Sequence, residues 1–279
     1  MTGERSAVES HYTRSALGET ILAALVKAGK DIDRLTPDDL APVDEFHSRR
    51  RAATAELARL LAPTARDRVL DAGSGIGGPS RFLAATYGCH VTGLDLTAEF
   101  CRVAAMLARR TGFDRLVDYR HGDATAMPFA DGEFDLVWSQ NAAMNIADRA
   151  LLYREIRRVL KPAGRFALQD VTAGPGGEPH YPVPWAREKS ISFLVPPETT
   201  RATLERSGFR VLVWEDKTEI AIQESRAERA KAAAQPAAQP VLGIHLILGA
   251  EFGTMMRNSV RNLEERRTGL LNAVLERID

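Results

Sequence analysis

The sequence has no excess of charge of either sign, because 37 lysine and arginine residues are matched by 37 aspartate and glutamate residues. Proteins that bind nucleic acids usually carry a positive excess, so this balance argues against a tRNA, rRNA or DNA partner. Cysteine is also scarce. Cys89 and Cys101 are the only two, too few for a disulfide framework or a cysteine-based metal site, which fits a reducing compartment.

Long apolar runs are missing as well. No run approaches the roughly 18 residues of a membrane-spanning helix, and the first residues are charged where a secretion signal would be apolar. We therefore expect a cytoplasmic protein that does not act in a membrane. The 279 residues are 44% apolar and 27% charged, a balance typical of a globular protein with room for a sizeable core.

The pattern of residues divides the chain into three segments. Residues 1–62 are predicted to be helical, with helices near 15–28 and 48–61 and a capping signal at Thr36. Residues 63–216 alternate short apolar runs with helix-length patterns, which predicts an α/β fold with a mostly parallel sheet and helices on both faces. Residues 217–279 are predicted to be a helical extension that ends in an edge strand near 268–276.

Within this plan, strands are predicted near 68–72, 89–94, 116–120, 134–138, 165–171 and 209–214. Helices are predicted near 78–87, 97–111, 148–160, 197–207, 219–233 and 251–265, whereas 241–249 fits a strand or a helix. An alanine-, glutamine- and proline-rich linker covers 232–240. Four prolines between residues 172 and 185 predict a long irregular loop, and long loops in compact domains are often functional.

A glycine-rich turn follows the first predicted strand. Residues 69–78 read Val-Leu-Asp-Ala-Gly-Ser-Gly-Ile-Gly-Gly, and Pro79 suits the first turn of the next helix. Such a turn lets a ligand approach bare backbone at the carboxyl edge of the sheet. Gly73, Gly75 and Gly78 also fit the GxGxxG fingerprint of dinucleotide sites, so a nicotinamide-dependent oxidoreductase is a minor alternative.

Three aspartates near this turn suit a nucleoside that carries positive charge. Asp95 closes the second strand, where its carboxylate can accept hydrogen bonds from both ribose hydroxyls. Asp71 lies two residues before Gly73, where it can hold the loop amides, face a cationic ligand and repel a pyrophosphate. Asp123 ends the third strand and is placed to accept from an adenine amino group.

These motifs and two later ones resemble, in order and spacing, the motifs of class I S-adenosylmethionine (SAM) dependent methyltransferases. The later motifs are Phe-Asp-Leu-Val-Trp-Ser-Gln at 134–140 and Leu-Lys-Pro-Ala-Gly-Arg at 160–165, and the set covers residues 66–172. The resemblance implies a Rossmann-like class I methyltransferase fold of seven strands, the last antiparallel, with SAM as cofactor and no metal. It implies cofactor contacts from Asp71, Gly73, Gly75, Gly77, Asp95, Leu96, Asp123, Ala124 and Gln140.

Two local features are similar to the sarcosine/dimethylglycine N-methyltransferases. They are Val-Trp-Ser-Gln-Asn-Ala at 137–142 and Asp-Glu-Phe-His-Ser at 44–48 with Ala-Thr at 53–54. The ubiquinone/menaquinone biosynthesis methyltransferases share the core and much of the proline-rich loop. The sequence departs from the N-methyltransferase pattern at Asn145, where those proteins tend to carry histidine, and at Arg50, which replaces a usual glycine.

The resemblance favours methylation of a small amine, such as an amino-acid-like molecule. O- or C-methylation of a phenolic or quinone-like molecule is the alternative, and a non-catalytic SAM-binding regulator also fits the core motifs. Residues 1–62 and the 172–195 loop are expected to form a lid that excludes water. The protein is expected to act as a monomer or a homodimer.

Several side chains outside the core are candidates for contact with the acceptor. His47 is the first candidate for a base or positioning residue, His180 is the second, and Asn145 is a third catalytic candidate. Tyr12 matches a tyrosine that closes over SAM in related enzymes, or it is a packed aromatic. The predicted substrate contacts are Asn141, Asp170, Tyr181 and Trp185. Tyr181 and Trp185, with Trp138 nearby, would form an aromatic wall for a cation or a flat ring.

Overall fold

The computed structural model describes residues 2–13, 16–234 and 240–279. Its seven-stranded sheet consists of β1 (Arg68–Ala72), β2 (His90–Asp95), β3 (Val117–His121), β4 (Phe134–Gln140), β5 (Leu160–Ala173), β6 (Phe209–Asp216) and β7 (Thr268–Arg277). The strands lie in the order β3-β2-β1-β4-β5-β7-β6. Strands β1 to β5 are parallel, and β7 runs antiparallel to both β5 and β6.

The helices of the described residues are α1 (Thr2–Tyr12), α2 (Leu17–Lys27), α3 (Pro37–Asp44), α4 (Arg50–Leu61), α5 (Gly78–Tyr87), α6 (Ala98–Arg110), α7 (Arg149–Val159), α8 (Pro197–Arg206), α9 (Thr218–Ala234), α10 (His245–Leu248) and α11 (Phe252–Glu264). Short 3₁₀ helices cover Ala143–Asn145, Lys189–Ile191 and Gly249–Glu251. None of the helices in the described ranges is both long and apolar enough to cross a membrane. Residues 235–239 of the predicted linker lie outside the described residues.

Two apolar clusters cover the two faces of the sheet. Val69 packs in one cluster with Leu57 of α4, whereas its neighbour Leu70 packs in the other with Ile156 of α7 and Leu204 of α8. Successive side chains of a strand point to opposite faces, so this alternation places helices on both faces of the sheet. The predicted seven-stranded, mostly parallel α/β architecture is confirmed.

The prediction of an edge strand near 268–276 was wrong in one respect. Strand β7 lies between β5 and β6, so β6 forms the edge of the sheet. Its Leu-Leu-Asn-Ala-Val-Leu run at 270–275 is fully buried. A nearly continuous apolar run is typical of a strand that is covered on both faces, and this feature accounts for the interior position.

Helices α1 and α2 lie near the carboxyl ends of the strands. Leu17 and Ile21 of α2 pack with Phe100 of α6 and with Ile76 of the glycine-rich turn. In a separate cluster, Val8 of α1 packs with residues of the 172–195 loop. The capping signal at Thr36 is confirmed, because the side chains of Thr36 and Asp39 hydrogen-bond each other's backbone amides at the start of α3.

Candidate active site

A cavity of about 250 Å³ lies at the carboxyl ends of β1 to β4. Ligands of open α/β proteins bind at this edge of the sheet. The segment before α4, the glycine-rich turn, the loop before α8, and helices α1, α9 and α11 contribute to its walls. Most of the residues predicted for the site line it, namely Tyr12, His47, Asp71, Gly73, Gly75, Asp95, Leu96, Asp123, Ala124, Gln140, Asn141, Asn145 and Trp185.

The glycine-rich turn owes its shape to contacts that leave no room for a side chain. Gly73 has φ +85°, and a Cβ at that position would come within 2.4 Å of the Ala142 Cβ. Gly77 has φ +82°, and a Cβ there would come within 2.0 Å of the Tyr119 hydroxyl oxygen. Gly77 does not line the cavity, so packing against Tyr119 explains this glycine without a ligand.

Asp95 holds the turn through its carboxylate. Its Oδ2 accepts a hydrogen bond from the Gly75 amide at 2.8 Å, and its Oδ1 accepts one from the Thr97 amide at 2.8 Å. Burial raises the pKa of Asp95, although these amides oppose the shift. A carboxylate oxygen accepts more than one hydrogen bond, so both oxygens retain capacity for a pair of hydroxyl groups in the cavity.

Asp71 is fully buried at the end of β1 and faces the same cavity. The Ser80 hydroxyl donates to its Oδ2 at 2.5 Å. Burial, with a contribution from the charge of Asp95, raises the pKa of Asp71 to about 7. The expectation that Asp71 holds the loop amides was wrong, because the Gly73 amide donates to the Leu94 carbonyl and the Gly75 amide to Asp95.

The third aspartate lies at the end of β3. Asp123 Oδ1 accepts hydrogen bonds from the backbone amide and the hydroxyl of Thr125, each at 2.7 Å. These bonds fix the carboxylate beside Ala124, which also lines the cavity. Asp95 and Asp123 thus bring two carboxylates to neighbouring strand ends.

Gln140 and Asn141 follow one another at the end of β4. Gln140 is held on both sides, since Trp138 Nε1 donates to its Oε1 at 3.2 Å and its own Nε2 donates to Gln169 at 3.1 Å. Asn141 has a left-handed backbone with φ +50° and donates to Ser48 at 3.2 Å. Its buried Oδ1 has no hydrogen-bond partner among the described residues. This oxygen is a polar group available to a ligand.

His47 belongs to a buried cluster with Glu45 and Thr54. His47 Nε2 lies 3.0 Å from Glu45 Oε2 and 2.8 Å from Thr54 Oγ1, and its side chain is only 6% exposed. Burial, then the charges of Arg50 and Arg51, lowers the pKa of His47 to about 3, so the imidazole is neutral at neutral pH. Burial and the charge of Asp44 raise the pKa of Glu45 to about 7, although the guanidinium of Arg51 opposes the shift.

Only one imidazole nitrogen of His47 is used within the protein. Nδ1 is buried and has no partner among the described residues, while Nε2 contacts Glu45 and Thr54. When Nε2 carries the proton and donates it to Glu45, the lone pair of Nδ1 is free to accept a hydrogen bond. The arrangement can therefore position a ligand that donates an N–H or O–H group, with the ring oriented by a carboxylate.

Asn145 connects α1 and the loop before α8 to the rim of the cavity. Its Nδ2 donates to the Trp185 carbonyl at 2.8 Å and to the Ile191 carbonyl at 3.0 Å, and its Oδ1 accepts from the Tyr12 hydroxyl at 3.1 Å. Both amide protons are thus bound within the protein. The geometry suits a residue that positions α1 and the loop better than one that acts on a substrate.

Comparison with known proteins identifies the fold family. Residues 70–168 match the sequence model of a family described as a methyltransferase domain. The chain is 32% identical over 196 residues to the sarcosine/dimethylglycine N-methyltransferase of Halorhodospira halochloris, a match that covers 70% of each protein. The chain belongs to the SAM-dependent methyltransferase family.

One further sequence relative and one solved structure are also similar to this chain. The glycine/sarcosine/dimethylglycine N-methyltransferase of Actinopolyspora halophila is 31% identical over 182 residues, which are 65% of this chain and 31% of that protein. The chain therefore spans about a third of that relative's length. The structure of a geranyl diphosphate C-methyltransferase from Streptomyces coelicolor A3(2) matches with a TM-score of 0.71 and 17% identity, over 100% of this chain and 99% of that one. This second likeness shows the fold.

The polar groups of the methyltransferase cavity fit SAM, the cofactor of this family. Asp95 retains acceptor capacity for two ribose hydroxyls, and Asp123 supplies a carboxylate on the next strand. Six carboxylates line the cavity, against two guanidinium groups, which suits the positive charge of a sulfonium. Among the described residues, no three His, Cys, Asp or Glu side chains group closely enough to hold a metal ion.

Three residues predicted for catalysis or substrate binding do not line the cavity of the methyltransferase. Asp170 is buried beside α7, where Arg149 Nη1 donates to its Oδ2 at 2.9 Å. His180 is held at α11, since its ring contacts Glu265 at 2.9 Å and its amide donates to Asn262 at 2.7 Å. Tyr181 packs in the apolar cluster beneath the loop. Each of these side chains makes its contacts within the protein, away from the cavity.

One of the three side chains expected to form an aromatic wall borders the cavity. Trp185 lines the cavity, and its Nε1 donates to Ser192 at 3.0 Å. Trp138 is fully buried within the sheet and does not reach the cavity. Trp185 therefore offers a ring to the site without support from Tyr181 or Trp138.

Helices α9 and α11 supply cavity residues that the sequence reasoning did not single out. On α9 they are Ala221, Glu224, Ser225 and Glu228, and on α11 they are Met256, Ser259, Val260 and Leu263. The spacing of 256, 260 and 263 matches one face of a helix, a signal present in the sequence. The neighbouring Asn258 and Asn262 instead hydrogen-bond the loop at the carbonyls of Pro182 and His180.

Proposed function

We propose that this methyltransferase transfers a methyl group from SAM to the nitrogen of a small amine, such as an amino-acid-like molecule. The observation that carries the proposal is the carboxylate of Glu228 on the outer wall of the cavity, together with the neutral imidazole of His47. The carboxylate attracts a protonated amine, and the neutral imidazole can accept a hydrogen bond from an N–H group of the amine. The N-methyltransferase relatives described above support the same chemistry.

Each part of the proposed cofactor site has its own task. Asp95 would accept from the ribose hydroxyls and Asp123 from the adenine amino group, while Gly73 and Gly75 allow close approach of the backbone. Asp71 would face the positive end of the cofactor. SAM supplies the methyl group on a positively charged sulfur and leaves as a neutral thioether.

The chain's own residues would prepare the acceptor. Its amine must lose a proton to the solvent before its lone pair can attack, and His47 Nδ1 would accept a hydrogen bond from a remaining N–H group while Glu45 holds Nε2. Glu45 and Thr54 fix the orientation of the neutral ring, since Glu45 Oε2 lies 3.0 Å from Nε2. Asn141 and Trp185 would orient the acceptor. The lid formed by α1 and the loop at Trp185 would exclude water from the transfer.

One observation favours the alternative, O- or C-methylation of a phenolic or quinone-like molecule. Ile244, Met256, Val260 and Leu263 form an apolar wall that suits a hydrocarbon portion of the acceptor. His47 could accept a hydrogen bond from a phenol as well as from an amine, so it supports both proposals equally. The two proposals differ in whether an amine or a phenol becomes methylated.

Calorimetry and a panel of acceptors test the proposal. S-adenosylhomocysteine should bind tightly and NAD(H) should not bind. The reverse result would contradict the proposed methyl transfer. Labelled SAM should then methylate glycine derivatives or other small amines. Turnover of phenols with failure of every amine would support the alternative, and cofactor binding without turnover across the panel would indicate a regulator.

A further inference from the structure

The N-terminus of α4 faces the cavity and carries three consecutive arginines, Arg49, Arg50 and Arg51. Arg49 is the N-cap residue, no side chain caps the helix, and no acidic residue occupies its first turn. The N-terminus of a helix carries partial positive charge, so cations there are unfavourable and an anion is favourable. Arg49 and Arg50 line the cavity, so the start of α4 brings positive charge to a site that is otherwise acidic.

Two of the three arginines are neutralised within the protein. Arg49 donates to both carboxylate oxygens of Glu224, at 2.9 and 3.0 Å, and to Glu56 at 2.7 Å. Arg51 Nε lies 2.6 Å from Glu45 Oε1. Arg50 lines the cavity, and its guanidinium makes no hydrogen bond or ion pair with the described part of the chain. Its donors are therefore available to a ligand.

The surroundings of Arg50 provide two further indications. Its backbone has φ +47°, a left-handed conformation that costs a residue with a side chain about 1–2 kcal/mol and costs glycine nothing. Strain of this kind is concentrated at functional sites. His47, three residues earlier, presents a buried imidazole whose Nδ1 has no partner among the described residues. A ligand at this place would meet both side chains.

We infer that Arg50, at the N-terminus of α4, is the specificity-determining residue that binds an anionic group of the methyl acceptor. The inference rests on the proposed function, which it refines to amines that also carry an acid. A guanidinium presents paired donors that match a carboxylate or a phosphate, and both groups share this geometry. Glu228 attracts the amine end, whereas Arg50 receives the acid end.

The experiment compares acceptors in matched pairs, an acid with its uncharged counterpart. For the carboxylate, N-methylglycine is paired with its carboxamide, 2-(methylamino)acetamide. For the phosphate, ethanolamine phosphate is paired with ethanolamine. The wild-type enzyme should favour the acid of one pair by at least tenfold in kcat/KM, and that pair identifies the kind of anion. Arg50→Met should abolish this preference mainly through KM, and Arg50→Lys should retain part of it.

Three controls separate the possible causes. Arg59→Met changes an exposed arginine on the same helix and should leave the preference unchanged. Arg50→Gly suits the left-handed backbone and should abolish the preference even if Arg50→Met folds poorly. Calorimetry should give the same affinity for S-adenosylhomocysteine in the wild type, Arg50→Met and Arg50→Gly, because the anionic group that Arg50 binds belongs to the acceptor.

The inference is overturned if the wild type shows no preference for an acid, or if the preference survives in Arg50→Met and Arg50→Gly. It is also overturned if these variants lose affinity for S-adenosylhomocysteine tenfold and keep the preference, since the cofactor's own carboxylate would then occupy Arg50. Methylation of uncharged amines alone would overturn the inference and leave the proposed function intact. Methylation of phenols alone would overturn both.

Discussion

The Tyr12 hydroxyl donates a hydrogen bond to Asn145 Oδ1 at 3.1 Å and so joins α1 to the rim of the cavity behind β4. The same Asn145 holds the Trp185 and Ile191 carbonyls through its Nδ2. One side chain therefore connects the N-terminal helix, the end of β4 and the long loop. Burial raises the pKa of Tyr12, so the phenol remains protonated and able to donate.

Asn145→Ala should loosen the attachment of α1 and the long loop to the rim of the cavity. The substitution leaves the carbonyls of Trp185 and Ile191 without their donor, which should cost about 1–3 kcal/mol for each group that stays buried. We expect faster hydrogen exchange at residues 2–12 and 184–191 and a lower unfolding temperature. Tyr12→Phe removes only one of the three hydrogen bonds and should have a smaller effect. Equal exchange in wild type and Asn145→Ala would mean that packing alone holds α1 and the long loop in place.

Asp95→Ala should weaken binding of S-adenosylhomocysteine at least tenfold, or about 1.4 kcal/mol. The variant removes the proposed ribose acceptors and leaves the amides of Gly75 and Thr97 without theirs. Calorimetry measures the affinity directly. Asp114→Ala, at an exposed position, is the matched control. Unchanged affinity in Asp95→Ala would place the ribose elsewhere.

Asp71 and His47 should affect the pH dependence of stability in opposite directions. The pKa of Asp71 rises from 3.8 to about 7 on folding, so its contribution is fully present below about pH 4 and is lost towards pH 7. The pKa of His47 falls from 6.5 to about 3, so its contribution is present above about pH 6.5 and is lost towards pH 3.

Denaturant unfolding at pH 4 to 7 measures these contributions by comparison with Asp71→Asn and His47→Gln. The free energy of unfolding of wild type relative to Asp71→Asn should fall as pH rises, because Asn keeps the bond from Ser80 without a titrating group. Relative to His47→Gln it should rise with pH. Parallel curves for wild type and a variant would show that the group titrates normally in the folded protein.

The cofactor edge could be predicted from sequence because its determinants are local. A strand, a glycine-rich turn and carboxylates at the next strand ends follow one another along the chain, and parallel strands bring those ends to one edge. Side-chain direction was harder to predict. Gln169 and Asp170 are neighbours in β5, yet Gln169 hydrogen-bonds Gln140 whereas Asp170 points to Arg149 beneath the sheet. One residue of register decides between the two faces.

The acceptor side depends on contacts between residues that are distant in sequence. His180 is held by Asn262, 82 residues later, and nothing in the loop sequence indicates that partner. The place of β7 between β5 and β6 likewise follows from long-range pairing. The apolar spacing on α11 was a usable signal, but periodicity shows that a face is buried without showing that it borders a cavity.

Arg49 should hold α9 against the cavity. It joins Glu56 of α4 to Glu224 of α9, and its paired contacts with Glu224 measure 2.9 and 3.0 Å. A double-mutant cycle of Arg49→Ala and Glu224→Ala should give a coupling energy of about 0.5–3 kcal/mol, measured by denaturant unfolding. Arg49→Lys should not restore it, because an ammonium cannot form the paired contact.

The matched control for this pair is the exposed ion pair of Arg201 and Glu205 on α8, where the coupling should be smaller. Hydrogen exchange over 218–234 should increase in Arg49→Ala. Zero coupling between Arg49 and Glu224 would show that α9 is held by apolar packing alone.

His47→Gln should lower kcat/KM for the acceptor by about tenfold, since it removes the ring nitrogen that would accept a hydrogen bond from the acceptor, a loss of about 1.4 kcal/mol. The pKa of His47 is about 3, so the imidazole stays neutral near neutral pH and the pH profiles of wild type and variant should be parallel, both set by the amine's own pKa. The affinity for S-adenosylhomocysteine should stay the same. His90→Gln, at an exposed histidine at the start of β2, should match the wild type at every pH. If kcat/KM of His47→Gln stayed close to that of the wild type, His47 would hold the segment before α4 in place without contacting the acceptor.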